Sequence, residues 1–220
     1  MRTLCDALDH RVDWQWAQNQ GETLTHGWTP ESGFLKYRWE GYDEALLLYI
    51  LGLGSPTHPL PEGCYAAWVS TYRWEQCYGQ EYLYAGPLFT HQLSHIWIDF
   101  RGIQDKFMRG KGIDYFENSR RATYVQQQYA IENPLKFAGY SPHCWGLTAS
   151  EGPGPGVIKV GGIERNFYDY TGRGVPYGPD DGTIASWAVA ASLRFAPEIV
   201  WAELEYCCVQ AKLTSRRPHG

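Results

Sequence analysis

Apolar residues fall at Leu4, Leu8, Val12, Trp16 and Ala17, along one side of a helical wheel, so the spacing predicts a helix over 4–18. Over 21–39 the pattern switches to alternation broken by Trp28-Thr29-Pro30-Glu31-Ser32-Gly33, which predicts a hairpin or a long shaped loop. The run Ala45-Leu46-Leu47-Leu48-Tyr49-Ile50-Leu51 predicts a helix over 42–53, stopped by Gly54, Ser55 and Pro56, with Glu40, Asp43 and Glu44 crowding its first turn. Pro61-Glu62 suits the start of another helix covering Ala66-Ala67-Trp68-Val69. Residues 74–87 read as irregular and aromatic, and helical patterns follow from 88 or 90 to about 100, then over 115–132, 184–194 and 197–211. Between them, 133–182 is loop-rich, and Gly152-Pro153-Gly154-Pro155-Gly156 argues against regular structure there. A loop of that length inside a compact domain is usually functional. Nothing alternates strand with helix in the rhythm of a parallel sheet. The expectation is an all-α chain of antiparallel helix pairs, one domain over 1–220 with a frayed tail over 212–220.

Composition changes the picture at the aromatic positions. Trp (10) and Tyr (16) outnumber Phe (8), and each buried Tyr or Trp must find a partner for its polar handle. Two readings stay open: a large core that uses polar aromatics, or surfaces that stack on the apolar faces of sugar rings. Trp28, Phe34, Tyr37, Trp39 and Tyr42 ring the acids ahead of the apolar run, as a site for a neutral polyhydroxylated ligand would require.

Charge excludes one class of partner. A net charge of −5, with only short basic pairs at Arg120-Arg121 and Arg216-Arg217, provides no basic stripe for nucleic acid. The longest apolar run, near Leu46–Leu53, is far short of the ~20 residues that span a bilayer, so no membrane span is expected. Met1-Arg2-Thr3-Leu4 leads straight into helical spacing with no apolar leader, which reads as a cytoplasmic protein or a chain without its natural N-terminus. The six cysteines lack any CxxC spacing and read as mostly reduced, buried thiols. His91 and His95 stand one helical turn apart and could share a ligand, but no third ligand sits at metal-site spacing, so neither metal nor cofactor is expected.

The candidate chemistry is carboxylate chemistry. Glu40 and Glu44 would share a face if helical geometry already holds at Glu40, and like charges this close, packed against Trp39 and Tyr42, would raise one pKa toward that of a general acid. Asp43 reads first as a dipole-favouring cap, whereas Glu44, followed directly by apolar residues, reads as functional. Glu151, in a glycine-flanked loop after Trp145, suits a mobile catalytic position. Glu117 is a third candidate, with pairing to Arg120 or Arg121 as its alternative fate. Asp181, in Asp180-Asp181-Gly182-Thr183, belongs to an N-cap region or lines a cleft. Asp99, Arg101 and Asp105 read as an ion-pair and cap network. Nucleophilic alternatives are weak, because there is no GxSxG elbow and no phosphate-binding glycine loop.

Several long segments, HGWTPESGFLKYRWEGYDEALLLYILGLGSPTHPL, PLFTHQLSHIWIDFRGIQD, YFENSRRAT, GYSPHCWGLTASEGPG and DDGTIA…APEIV, resemble in order the glycoamylase-like family. That family includes bacterial endo-β-1,2-glucanases and the glycoamylase-like domain of cyclic β-1,2-glucan synthases, and the likeness runs from about residue 5 to 210. The resemblance implies an (α/α)6 toroid with a central cleft and metal-free hydrolysis of β-1,2-glucan (sophorooligosaccharides). It implies catalytic roles for Glu44 and Glu151, with Glu40 and Glu117 nearby, and ligand contacts for the aromatic ring above together with Asp43, His95, Trp145 and Asp181. Inverting action would set the two working carboxyls about 6.5–9.5 Å apart and retaining action about 5–5.5 Å. The pattern supplies about seven or eight helices against the toroid's roughly twelve, so the chain reads as an incomplete toroid, the C-terminal portion of a longer enzyme. Family members often carry an export or lipoprotein signal, so the resemblance implies a periplasmic or secreted parent. Two other fates stay open: a carbohydrate-binding module that has lost catalysis, and a β-glucan transglycosylase.

Overall fold

The computed structural model describes residues 1–215, with side chains through Cys207, and the chain divides into two compact units, Met1–Trp74 and Glu75–Gly220. Of the tail expected over 212–220, residues 216–220 lie outside the described residues, as do Arg216-Arg217 and the side chain of Cys208. Among the described residues there are eight α-helices, and four two-stranded sheets add a β component that the all-α expectation left out. No helix among them is long and apolar enough to cross a membrane.

In the first unit the helix expected over 4–18 is two, α1 (Arg2–Asp9) and α2 (Trp14–Gln18). The break comes where Asp13 turns extended and its carboxylate caps the Trp16 amide at 2.9 Å, starting a new helix. The hairpin forms as β1 (Trp28–Thr29) against β2 (Gly33–Phe34). Helix α3 (Leu46–Gly54) and helix α4 (Glu62–Ser70) carry the core, in which Tyr49 stacks on Trp68 with centroids 4.5 Å apart. Tyr49 uses its polar end too: its hydroxyl accepts the Leu24 N–H at 3.1 Å.

The second unit is built on α6 (Tyr115–Glu132), an 18-residue helix capped by Asp114, whose carboxylate takes the Glu117 amide. Against it lies the hairpin β3 (Trp74–Cys77) and β4 (Gln80–Leu83), where irregular chain was expected. Tyr78 and Gly79 make the turn, both at positive φ. The helix expected over 88–100 is instead two short 3₁₀ turns, Leu88–His91 and Leu93–Ile96. The reason is competition for backbone groups. Ser119 Oγ donates to the His91 carbonyl at 2.7 Å, the acceptor a continuous helix would offer to the His95 N–H, and that N–H goes to the Gln92 carbonyl at 3.0 Å instead. Helix α5 (Lys106–Lys111) starts at the cap Asp105, and Arg101 pairs with Asp99, so the network read in that segment is present.

The loop-rich stretch contains β5 (Ala149–Ser150) paired with β8 (Thr171–Gly172), and a protruding hairpin, β6 (Gly156–Val160) with β7 (Ile163–Phe167). Helices α7 (Ser186–Ala191) and α8 (Pro197–Ser215) close the unit. Its core gathers Trp145, Leu147, Val189 and Val200, all fully buried. Cys64 and Cys77 are buried free thiols, whereas Cys5 is exposed.

Candidate functional site

The acids of the first unit precede α3 rather than opening it. Gly41 turns the backbone at φ +79° and gives its N–H to Thr71 Oγ1 at 2.6 Å, which breaks helical geometry between Glu40 and Glu44. Asp43 Oδ1 then accepts the Ala45 N–H at 2.9 Å, closing a side-chain-mediated turn, and α3 begins only at Leu46 with no acid in its first turn. Glu40 is exposed, while Asp43 and Glu44 are half-buried and sequence neighbours. Burial, reinforced by the Glu44 charge, pushes the Asp43 carboxyl up to about 7 against the opposing pull of the Ala45 amide. A carboxyl with that affinity can hold a proton near neutrality and release it in a reaction, the property expected of a general acid.

The aromatic ring around these acids separates into ligand-accessible and structural members. Tyr37 is the most exposed, and Trp28 is about half exposed although it leans on Trp16. Phe34 packs on Trp16 at 4.7 Å, and Trp39 has His26 stacked over it at 3.9 Å. Tyr42 is buried, edge-on to Tyr72, and so serves the core rather than a ligand.

In the second unit, Glu151 follows β5 directly and is exposed at the rim of a cavity of about 880 Å³. Its lining includes the apolar Leu93, Ile96 and Phe195 and the hydroxyl-bearing Ser150, Thr183 and Ser186. Tyr170 and Trp187 line it with large exposed rings, and neither was singled out from the sequence. Trp187 sits in a short apolar helix, SWAVAA, where a tryptophan reads as core, so its exposure carried no sequence signal.

A buried ion pair holds this rim. The Arg173 guanidinium meets the Asp181 carboxylate at 2.7 Å with both side chains fully buried. It also donates to the Ser150 carbonyl at 2.7 Å and to the carbonyls of Tyr168 and Asp169, the residues just before Glu151 and Tyr170. A Cβ at Gly152 would fall 2.0 Å from Arg173 Nη2 and 2.3 Å from the Tyr168 carbonyl, so glycine there is what lets the guanidinium reach under the loop. Burial works to raise the Asp181 carboxyl, but hydrogen bonds from Arg173 and Thr183 outweigh it and hold the group at about 2. Asp181, expected in ligand contact, is therefore a fastener.

Burial also changes the expectations for Trp145, His95 and His91, and an ion pair changes that for Glu117. Trp145 has no exposed surface and belongs to the core. His95 lies at the cavity wall but is buried among Phe100, Phe116 and Phe195, with Nε2 3.0 Å from Ser119 Oγ. Burial, and next the Arg194 charge, drive its pKa down to about 3, so it stays neutral. His91 is likewise buried, with Nε2 3.1 Å from the Ala85 carbonyl, so the two rings are engaged separately instead of sharing a ligand. Glu117 is taken by Arg121 at 2.9 Å and lies 3.9 Å from Arg120. No group of three or more His, Cys, Asp or Glu among the described residues could hold a metal ion.

The fold is similar to that of solved proteins described as putative glucoamylases. The chain belongs to the glycoamylase family, whose model, described as "Putative glucoamylase", matches residues 36–218. A solved structure bearing the same description, from Bacteroides fragilis NCTC 9343, is 30% identical with a TM-score of 0.76, covering 91% of this chain and 46% of that one. An endo-β-1,2-glucanase from Chitinophaga pinensis, solved with sophorotriose and glucose, is 27% identical with a TM-score of 0.71, covering 91% of this chain and 47% of that one. A curated relative, the exo β-1,2-glucooligosaccharide sophorohydrolase (non-reducing end) of Parabacteroides distasonis, is 25% identical over 226 residues. The match takes in 90% of this chain and 29% of that relative, so the chain spans under a third of the curated relative and about half of the solved ones.

Proposed function

We propose that this chain is the catalytic portion of a glycoside hydrolase that cleaves β-1,2-glucan by carboxylate acid/base chemistry. The observation that carries the reading is Glu151, a solvent-reachable carboxylate at the rim of a cavity with apolar and hydroxyl-bearing walls, on a chain of this family. Relatives named for β-1,2-glucan and sophorooligosaccharide cleavage support the substrate class. Glu44 in the first unit and Glu151 in the second are each working carboxylates in this reading. Asp43, whose carboxyl is raised to about 7, is the neighbour best suited to manage a proton beside Glu44. The scaffold is part of an (α/α)6 toroid, and the parent protein works in the periplasm or outside the cell.

The test is reducing-sugar release from linear β-1,2-glucan, with other β-glucans as controls. Glu44→Gln and Glu151→Gln are each expected to abolish turnover while the circular dichroism spectrum stays that of the parent. Near-normal rates in both variants would sink the assignment. A binding module is the second reading, favoured by one observation: the cavity and Glu151 lie wholly within the second unit. It predicts calorimetric binding of sophorooligosaccharides with no sugar release from the unsubstituted chain. Transglycosylation would instead appear as lengthened products when acceptor sugars are added.

A further inference from the structure

Resting on the hydrolase reading for its ligand class, we infer that Tyr170 and Trp187 form a sugar-stacking subsite beside Glu151 and set how a glucosyl unit enters the cavity. Both rings line the cavity, and they are 65% and 54% exposed, far more than a core role would leave them. They come from separate elements. Tyr170 precedes β8 on the strap held by Arg173, and Trp187 sits in the first turn of α7. Each is therefore fixed by its own backbone anchor, which keeps the entropy cost of presenting a ring low.

The remainder of the lining suits a pyranose. Such a ring has an apolar face, formed by its C–H bonds, and an equatorial edge of hydroxyls. Leu93, Ile96 and Phe195 give the cavity apolar surface, Ser150, Thr183 and Ser186 give it hydroxyl partners, and Glu151, next to Ser150 in the chain, adds a carboxylate to the lining. The neighbouring polar side chains are already committed. Gln92 is spent on the Ala188 carbonyl and Ser192 Oγ, and Arg194 donates to the His95 carbonyl and lies 3.7 Å from Asp99. Among the described residues lining the cavity the one cation, Arg194, is thus engaged by the His95 carbonyl and Asp99, and the chemistry fits a neutral sugar. Its volume of about 880 Å³ lies toward the upper end of the ~300–1,000 Å³ usual for small-ligand sites, room for a short oligosaccharide.

Calorimetric titration of the whole chain with sophorotetraose, alongside steady-state kinetics on linear β-1,2-glucan, tests the subsite. Trp187→Ala is expected to weaken binding and raise KM about tenfold, the scale of one lost aromatic face, while kcat falls by less than about twofold. Tyr170→Ala is expected to shift KM in the same direction by several-fold, and Trp187→Phe to restore most of the affinity, because stacking needs a ring rather than an indole N–H. Because both rings are exposed, the thermal midpoint should stay near that of the unsubstituted chain, separating lost stacking from lost folding. Unchanged binding in both alanine variants overturns the subsite, and so does an absence of sophorotetraose binding by the unsubstituted chain. Sophorotetraose binding that depends on Trp187, in a chain that releases no sugar, keeps the subsite and removes only the hydrolase reading.

Discussion

Asp43 shows how one residue's surroundings set its chemistry. Its carboxyl is withdrawn from water and set beside Glu44, so it carries its proton to about pH 7. If it donates that proton in the reaction, kcat should decline as pH rises through about 7, and Asp43→Asn should leave a low rate without that limb; a pH–rate profile of both forms checks it. The same shift acts on stability. The unfolded chain releases this proton near pH 4 and the folded chain near 7, so between those values the folded state binds more protons and stability falls as pH rises. Asp43→Asn, which keeps an acceptor for the Ala45 amide, should therefore gain on the parent between pH 5 and 8, by roughly 2 kcal/mol in urea denaturation. An equal stability difference at both pH values would contradict the burial argument. The sequence indicates that acids and aromatics crowd this segment. It reads Asp43 as a cap and Glu44 as the functional acid, and does not reveal that Asp43 carries the raised carboxyl, because that depends on a turn at Gly41 and on which carboxyl the chain folds over.

At the scale of elements, the rim of the cavity is held by the single guanidinium of Arg173, and its neighbours are built around it. Removing it by Arg173→Ala strands the Asp181 carboxylate in a fully buried site, which costs about 3–5 kcal/mol and frees the carbonyls of Ser150 and Tyr168 at once. Gly152→Ala should produce a weaker form of the same lesion by forcing the guanidinium aside. Thermal melts should show both losses, the larger in Arg173→Ala. Arg173→Lys should recover only part, since an ammonium cannot span the fork of acceptors. Elements were legible where local chemistry decides them. The hairpin at 28–34, the helix over 115–132 and the stop at Gly54 follow from turn residues and periodicity. The 3₁₀ turns over 88–96 were not legible, because the His91 carbonyl that a continuous helix would use is claimed by Ser119, 28 residues away. The Arg173–Asp181 clamp was hidden likewise, since a lone arginine in a glycine-rich loop reads as solvated until its burial is seen.

For the molecule as a whole, balance between charge and exposed apolar surface should govern behaviour in solution. The hairpin of β6 and β7 exposes Val157, Ile158, Val160 and Ile163 on both of its faces, and α1 has no buried residue although Leu4 and Leu8 lie on it. A two-stranded hairpin with free edges and apolar side chains is prone to pair with its like, and charge is the usual restraint. The net charge is only −5 at pH 7, and it vanishes near the pI of about 5.8. Light scattering at fixed concentration should therefore pass through a maximum near that pH and decline toward pH 8, where repulsion grows. Ile158→Lys with Ile163→Lys should lower that maximum by breaking the apolar surface. The two lysines together bring the net charge from −5 to −3 at neutral pH, so charge alone predicts more association there, not less. A drop in scattering at pH 7 in the double variant would thus assign the association to the hairpin surface, and a rise would assign it to net charge.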